Sequence, residues 1–276
     1  MTTALVLGGG GVVGVAWETG VIAGLAAAGL DLRVADLVVG TSAGSVVAAQ
    51  ITSGASVPEL YDRQLAPPTG EIAARLGGAV LLRYLAATTR RTDRAALAHL
   101  GRSARRARTV PEAERRAVIA GRLPRHEWPT SPRLLITAVD ATTGEEVVFD
   151  RDSGVDLVSA VAASCAVPVV WPTVTIGGRQ YMDGGVRSAA HVDLATGHDR
   201  VVVLAPTTVS LRRSGRVATE IAALGPSVRS VLISPSPAAR QAMGRNALDP
   251  ARRAASAEAG LRQAAEAVDA IRAVWP

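Results

Sequence analysis

Four apolar residues, Ala4-Leu5-Val6-Leu7, run without a polar break into four glycines, Gly8-Gly9-Gly10-Gly11. A short continuous apolar run suits a parallel strand buried on both faces, which has no solvated side to alternate with. The glycines that end it allow a tight turn. A helical pattern follows from about Val15 to Ala28, with Gly29 in the position of a C-terminal cap. The pattern then repeats: Asp36-Leu37-Val38-Val39 reads as a second strand and turns through Gly40-Thr41-Ser42-Ala43-Gly44 into a helix ending near Ser53-Gly54. A chain that opens strand, glycine loop, helix, strand, sharp turn, helix is directed to an α/β fold with a mostly parallel sheet.

Further strands are expected at 133–139, 146–149, 201–204 and 228–233, and hairpins at Thr143-Gly144 and Gly177-Gly178. A helix is expected from about Val155 to Cys165, and an amphipathic one from about Pro250 to Val274. The Pro-Ser-Pro stretch around Ser234 reads as loop. The middle of the chain differs: from Arg83 to Arg125 there are twelve arginines and three acids, a surplus of nine positive charges. The expected organisation is one domain over 1–276, with this arginine-rich stretch as a helical insertion at about 56–128.

Gly40-Thr41-Ser42-Ala43-Gly44 is a G-x-S-x-G element set between strand and helix, the context in which that motif carries a nucleophile. The turn strains the serine backbone, Gly40 and Gly44 let strand and helix pass closely, and the hydroxyl stands above the sheet beside a helix N-terminus. On the pentapeptide alone, a serine cap in a glycine-rich turn explains Ser42 equally well. A nucleophile needs a base. None of His99, His126, His191 and His198 has an evident setting, and each reads as a surface or capping histidine. Asp183 is the better candidate, because it ends a strand and precedes Gly184-Gly185, so little covers its carboxylate. Asp-Gly-Gly by itself is an ordinary turn, and its weight comes from pairing with Ser42.

Gly8 to Gly14 presents several N–H groups toward one point beside a helix N-terminus, an anion site. For acyl transfer the anion is the tetrahedral oxyanion, and the candidate donors are Gly9, Gly10, Gly11 and Ala43. Gly9, Gly11 and Gly14 also fit the dinucleotide pattern G-x-G-x-x-G. That reading needs an acid at the end of the second strand, where Gly40-Thr41-Ser42 stands instead.

Glycine loop, G-x-S-x-G turn and late Asp-Gly-Gly, in that order, resemble the patatin-like phospholipase family. The block Ala163-Ser164-Cys165-Ala166-Val167-Pro168, with Trp171-Pro172 and Tyr181-Met182-Asp183, resembles that family's segment before its aspartate. The likeness spans roughly residues 4–54 and 133–205. It implies a three-layer α/β/α sandwich and a Ser42–Asp183 dyad without histidine. The implied activity is hydrolysis of a lipid or other ester through an acyl-enzyme, with no metal or organic cofactor. In one respect the chain departs from the family: a basic residue usual before the last loop glycine is Val13 here, so phosphate recognition at the loop is in question while the oxyanion donors remain. Two other classes fit the same architecture, an acyltransferase and a catalytically silent lipid-binding module. Malonyl transferases of related fold carry histidine beside the serine, where this chain has Thr41.

All 30 basic residues are arginine, and the net charge is +6. The arginine-rich stretch reads as a solvated helical face, or as a lid that docks peripherally on anionic membrane. Nucleic acid is disfavoured as a partner, since aromatics are 3% of the chain and no nucleic-acid motif occurs. The single cysteine, Cys165, excludes an internal disulfide and reads as a buried small residue. The N-terminus lacks a basic leader and no uncharged stretch suits a span, so a cytoplasmic protein is expected. Trp17, Trp128 and Trp171 suit an acyl groove or ordinary packing.

Overall fold

The computed structural model describes residues 1–74, 84, 91–210 and 213–275. Eight strands form one sheet: β1 (Thr3–Leu7), β2 (Leu37–Gly40), β3 (Arg133–Asp140), β4 (Glu146–Phe149), β5 (Val174–Ile176), β6 (Arg179–Asp183), β7 (Arg200–Leu204) and β8 (Arg229–Ile233). The hydrogen-bonded path runs β5-β6-β3-β2-β1-β7-β8, and β4 also pairs with β3. From β3 through β8 the pairs on this path are parallel, while β4, β5 and β6 join antiparallel.

The two faces of the sheet separate by residue parity, as a period of two requires. Leu5, Leu7, Val38, Leu134, Ile136, Val202 and Leu204 pack into one core with α1 (Gly11–Ala27), α2 (Ala43–Ile51), α6 (Leu157–Ser164) and α9 (Arg253–Arg272). Ala4, Val6, Leu37, Val39, Leu135, Val201 and Val203 face the other way. They are covered by residues 189–195 and by α7 (Val217–Ala223). Farther along that sheet, α4 (Asp93–Arg105) sets Ala96, Leu97 and Leu100 on Val139 and Met182. The protein is therefore a three-layer α/β/α sandwich.

Other helices among the described residues are α3 (Val57–Leu65), α5 (Glu112–Arg122) and α8 (Pro237–Met243). Helix α1 starts at Gly11, earlier than apolar periodicity suggests, because glycines carry no side-chain pattern to read. The Pro-Ser-Pro stretch is not simply loop. Ser236 caps α8, its side chain accepting the Ala239 N–H at 3.2 Å, and Pro237 occupies a first-turn position where its missing N–H costs nothing. Helix α7 also went unanticipated. Of the arginine-rich stretch, α4 turns Arg102 and Arg105 to solvent while burying Leu97 and Leu100. Residues 75–83 and 85–90 of it lie outside the described residues.

Helices α1 and α9 pack through glycine. A Cβ on Gly20 would lie 2.0 Å from the Ala257 carbonyl oxygen, and one on Gly260 would lie 2.2 Å from that of Trp17. Such backbone proximity leaves no room for side chains at the crossing. Among the described residues, no helix is long and apolar enough to cross a membrane.

Candidate active site

Strand pairing brings the two ends of the candidate site together. Ile136 pairs with Gly40 of β2 and with Phe149 of β4; Ala138 pairs with Val147 of β4 and with Asp183 of β6. A strand residue has one neighbour on each side, so β2 and β6 share one edge of β3 and meet end to end. Along that edge two residues of β3, a rise of roughly 7 Å, separate the strand ends. Ser42 and Asp183, 141 positions apart, are thereby in contact: Ser42 Oγ donates to Asp183 Oδ2 at 2.7 Å.

The turn that carries Ser42 is strained, with φ 51° and ψ −113° at a non-glycine residue. Such conformations cost on the order of 1–3 kcal/mol and persist where surrounding bonds overdetermine them. Those bonds are present. The Ser42 N–H donates to Ser164 Oγ at 2.9 Å, and the Ser42 carbonyl accepts from Ser45 Oγ at 2.6 Å and Cys165 Sγ at 3.3 Å. Gly44 allows the approach of α2 to β1, since a Cβ there would lie 2.0 Å from the Leu7 carbonyl oxygen. The Ser164-Cys165-Ala166 block also holds the aspartate, because the Ala166 carbonyl accepts the Asp183 N–H at 3.0 Å.

Asp183 is 4% exposed. Burial pushes its carboxyl up to about 7, against the bonds from Ser42 and from the Gly185 N–H at 2.7 Å, which favour the carboxylate. Gly184 lies against Thr137, and Gly185 beside Asp183.

Within the glycine loop the candidate donors divide. The Gly9 N–H already donates to the Ala189 carbonyl at 2.8 Å, so Gly9 braces the loop and is withdrawn as an oxyanion donor. Among the described residues, the N–H groups of Gly10, Gly11 and Ala43 meet no acceptor. They open the first turns of α1 and α2, where N–H groups are left unpaired by the helix. Gly14 closes the first turn of α1, its N–H donating to the Gly10 carbonyl at 3.0 Å. Val13 is buried in the core, so this part of the loop presents no charge.

Two side chains behind the loop and turn carry roles that sequence reasoning missed. His191, expected as a surface or capping residue, stands at the N-cap of a short helical turn but is fully buried with φ 57°, and its Nδ1 lies 3.0 Å from Thr41 Oγ1, which in turn lies 3.0 Å from Thr137 Oγ1. Burial and the nearby Arg187 push its imidazole down to about 3, so it is neutral. Its Nε2 lies 3.2 Å from Glu146 Oε1 but is not aligned for a hydrogen bond. Glu18, also fully buried, accepts the Gly8 N–H at 3.0 Å, and burial pushes its carboxyl well above the usual range. As the one charged residue of α1, it was findable. The other expectations fare variously. His126 and His198 bond helix or turn carbonyls. Cys165 is buried and its thiol pushed up to about 11.

A cleft of about 200 Å3 opens over Ser42 and Asp183, lined among others by Tyr84, Val167, Val186, Val209 and Leu248. The tryptophans do not line it. Trp17 is in the core, Trp171 lies under Arg115, and Trp128 donates to the Val155 carbonyl at 2.7 Å. Among the described residues, no three His, Cys, Asp or Glu side chains cluster as metal ligands would.

The family model for patatin-like phospholipase matches residues 5–196, and the chain belongs to that family. No curated protein matches it in sequence. Among solved structures it is similar to VipD from Legionella pneumophila, at 13% identity and a TM-score of 0.48, over 98% of this chain and 67% of that one. It is similar also to the type III effector protein ExoU, at 14% identity and a TM-score of 0.40, over 98% of this chain. The chain spans 53% of that ExoU chain.

Proposed function

We propose that the protein is a lipid acyl hydrolase in which Ser42 attacks the carboxylic ester carbon and Asp183 takes its proton. The observation that carries this reading is the 2.7 Å bond from Ser42 Oγ to the buried Asp183 carboxyl, held near neutrality at about 7. A base of that strength is half ionised at neutral pH and can return the proton to the leaving alcohol. As Ser42 Oγ bonds to the carbonyl carbon, the oxygen takes the electron pair and is held by the Gly10, Gly11 and Ala43 N–H groups. Collapse expels the alcohol with the proton from Asp183 and leaves an acyl-enzyme. Water then attacks that ester and Asp183 accepts its proton; collapse breaks the bond to Ser42 Oγ, which takes the proton back from Asp183 as the carboxylic acid leaves.

The largely apolar cleft suits an acyl chain, and Val13 offers no cation to a headgroup at the loop. Neutral esters and lysophospholipids are therefore substrates on equal footing with diacyl phospholipids. Peripheral contact with anionic membrane would use exposed arginines such as Arg102 and Arg105 of α4.

The test is hydrolysis of short and medium chain p-nitrophenyl esters by wild type, Ser42→Ala and Asp183→Asn, with chelator present. Expected is turnover by wild type that each variant reduces by about 10³-fold or more, the scale seen when members of a catalytic unit are removed. Wild-type inactivity, or variants that keep the rate, would overturn the dyad and favour a silent lipid-binding module.

A further inference from the structure

The cleft at Ser42 is not the roomiest cavity. Behind the glycine loop, a cavity of about 600 Å3 lies among the first turns of α1, the ends of α2 and α3, helix α5 and the start of α9. It shares no lining residue with the Ser42 cleft.

Its charges do not balance. Arg63, Arg122 and Arg253 line it, with Glu71 as a half-buried carboxylate and Glu114 exposed at the rim. Arg122 engages Glu71 through two bonds, Nε to Oε1 at 3.1 Å and Nη2 to Oε2 at 2.5 Å. Arg253 has neutral acceptors, the Arg63 carbonyl at 2.6 Å and Gln64 Oε1 at 3.4 Å. Arg115 stands close enough for its charge to act on both Arg122 and Glu71. It is 5% exposed, stacks on Trp171 at 3.9 Å, and its Nε and Nη1 meet no acceptor among the described residues. The guanidiniums of Arg115, Arg122 and Arg253 thus lie around one half-buried carboxylate, Glu71. Burial and then Arg122 push Arg115 down to about 10, and Arg253 is lowered for the same two reasons. Between Glu71 and Asp93 the sequence contains no acid, so that stretch has no carboxylate side chain to offer. A cleft lined mostly by one sign of charge draws in a counter-ion, here an anion.

A second, uncharged group points to what the anion carries. Gln50 is 4% exposed and lines the cavity; its Nε2 donates to the Arg122 carbonyl at 2.9 Å, while Oε1 meets no donor among the described residues. A buried acceptor calls for a donor. A dianionic phosphate has none, whereas a hydroxyl beside it does.

We propose that this cavity binds a phosphate-bearing polyol, with Arg122, Arg253 and, at the mouth, Arg63 taking the phosphate and Gln50 Oε1 accepting a hydroxyl. Guanidinium forks match phosphate oxygens in geometry and charge. The occupant is a free polyol phosphate or the same group at the head of a lipid. Val12 and Val15, at the start of α1, line the cavity.

The site is independent of ester cleavage, and Ser42→Ala protein serves to test it. Calorimetric titration with glycerol 3-phosphate should show saturable binding, with none to glycerol. Arg253→Gln should weaken it about tenfold, the scale of one charge-assisted contact. Arg63→Gln, at an exposed position that spares the fold, should weaken it roughly threefold, less because solvent screens it. Gln50→Leu should weaken glycerol 3-phosphate but leave inorganic phosphate unchanged; equal effects on both would overturn the hydroxyl contact. Absent binding, or wild-type affinity in both arginine variants, would overturn the site. Co-sedimentation with phosphatidylglycerol and phosphatidylcholine vesicles separates the sources. Loss of phosphatidylglycerol binding in Arg253→Gln alongside glycerol 3-phosphate assigns a lipid headgroup; unchanged sedimentation assigns the free phosphate.

Discussion

At the scale of the residue, Asp183 sets a conflict between activity and stability. Its carboxyl is raised to about 7 by burial, so the folded protein holds a proton that the unfolded chain releases near 4. The contribution to stability is whole below about pH 4 and is lost as pH rises through about 7. In the proposed mechanism activity has the opposite sign, since the carboxylate is the form that accepts the Ser42 proton. The kcat/KM for ester hydrolysis should rise with pH to a plateau, with its midpoint near 7. Asp183→Asn should lose activity yet gain melting temperature relative to wild type, more at pH 8 than at pH 5; differential scanning calorimetry at both values checks it. Thr41 bears on its neighbour through His191. Thr41→Val leaves buried His191 Nδ1 without that partner and should cost about 1–3 kcal/mol in a denaturant titration.

At the scale of the element, glycine governs how closely backbones pass. The crossing of α1 and α9 depends on Gly20 and Gly260, where a Cβ would meet backbone oxygen at 2.0 and 2.2 Å. Backbone cannot move aside as a side chain tip can. Gly260→Ala should therefore lower stability by about 1–3 kcal/mol or more, the cost of overpacking, read as a shift of the denaturation midpoint. Gly29→Ala, a C-terminal position at φ 80° with nothing near its Cβ, should cost only its backbone strain, about 1 kcal/mol. The contrast separates steric from conformational roles of glycine.

At the scale of the whole molecule, the sheet is most secure at its centre. Strand β1 is fully buried and has parallel neighbours on both sides, β2 and β7. The β5 strand pairs with β6 alone and is partly exposed. Native-state hydrogen exchange should find β1 amides the slowest and those of β5 among the fastest of the strands. The strained Ser42 turn follows β2, the direct neighbour of β1, and so hangs from that stable centre.

The sequence by itself determined what local backbone chemistry dictates. Apolar runs ended by glycine declared the α/β fold; Gly40 to Gly44 declared the turn and Ser42, and Asp183-Gly184-Gly185 the second strand end. Each signal lies within a few residues, where steric and hydrogen-bonding preferences act directly. Tertiary structure decided what depends on partners remote in the chain. The bond of Ser164 to the Ser42 N–H spans 122 positions, and that of Thr41 to His191 spans 150. A histidine, or a glutamate such as Glu18, looks alike in sequence whether solvated or buried, because burial belongs to the packed neighbours. The pairing of β2 and β6 along one edge of β3 brings Asp183 to Ser42, and the register of that edge arises only when the sheet assembles.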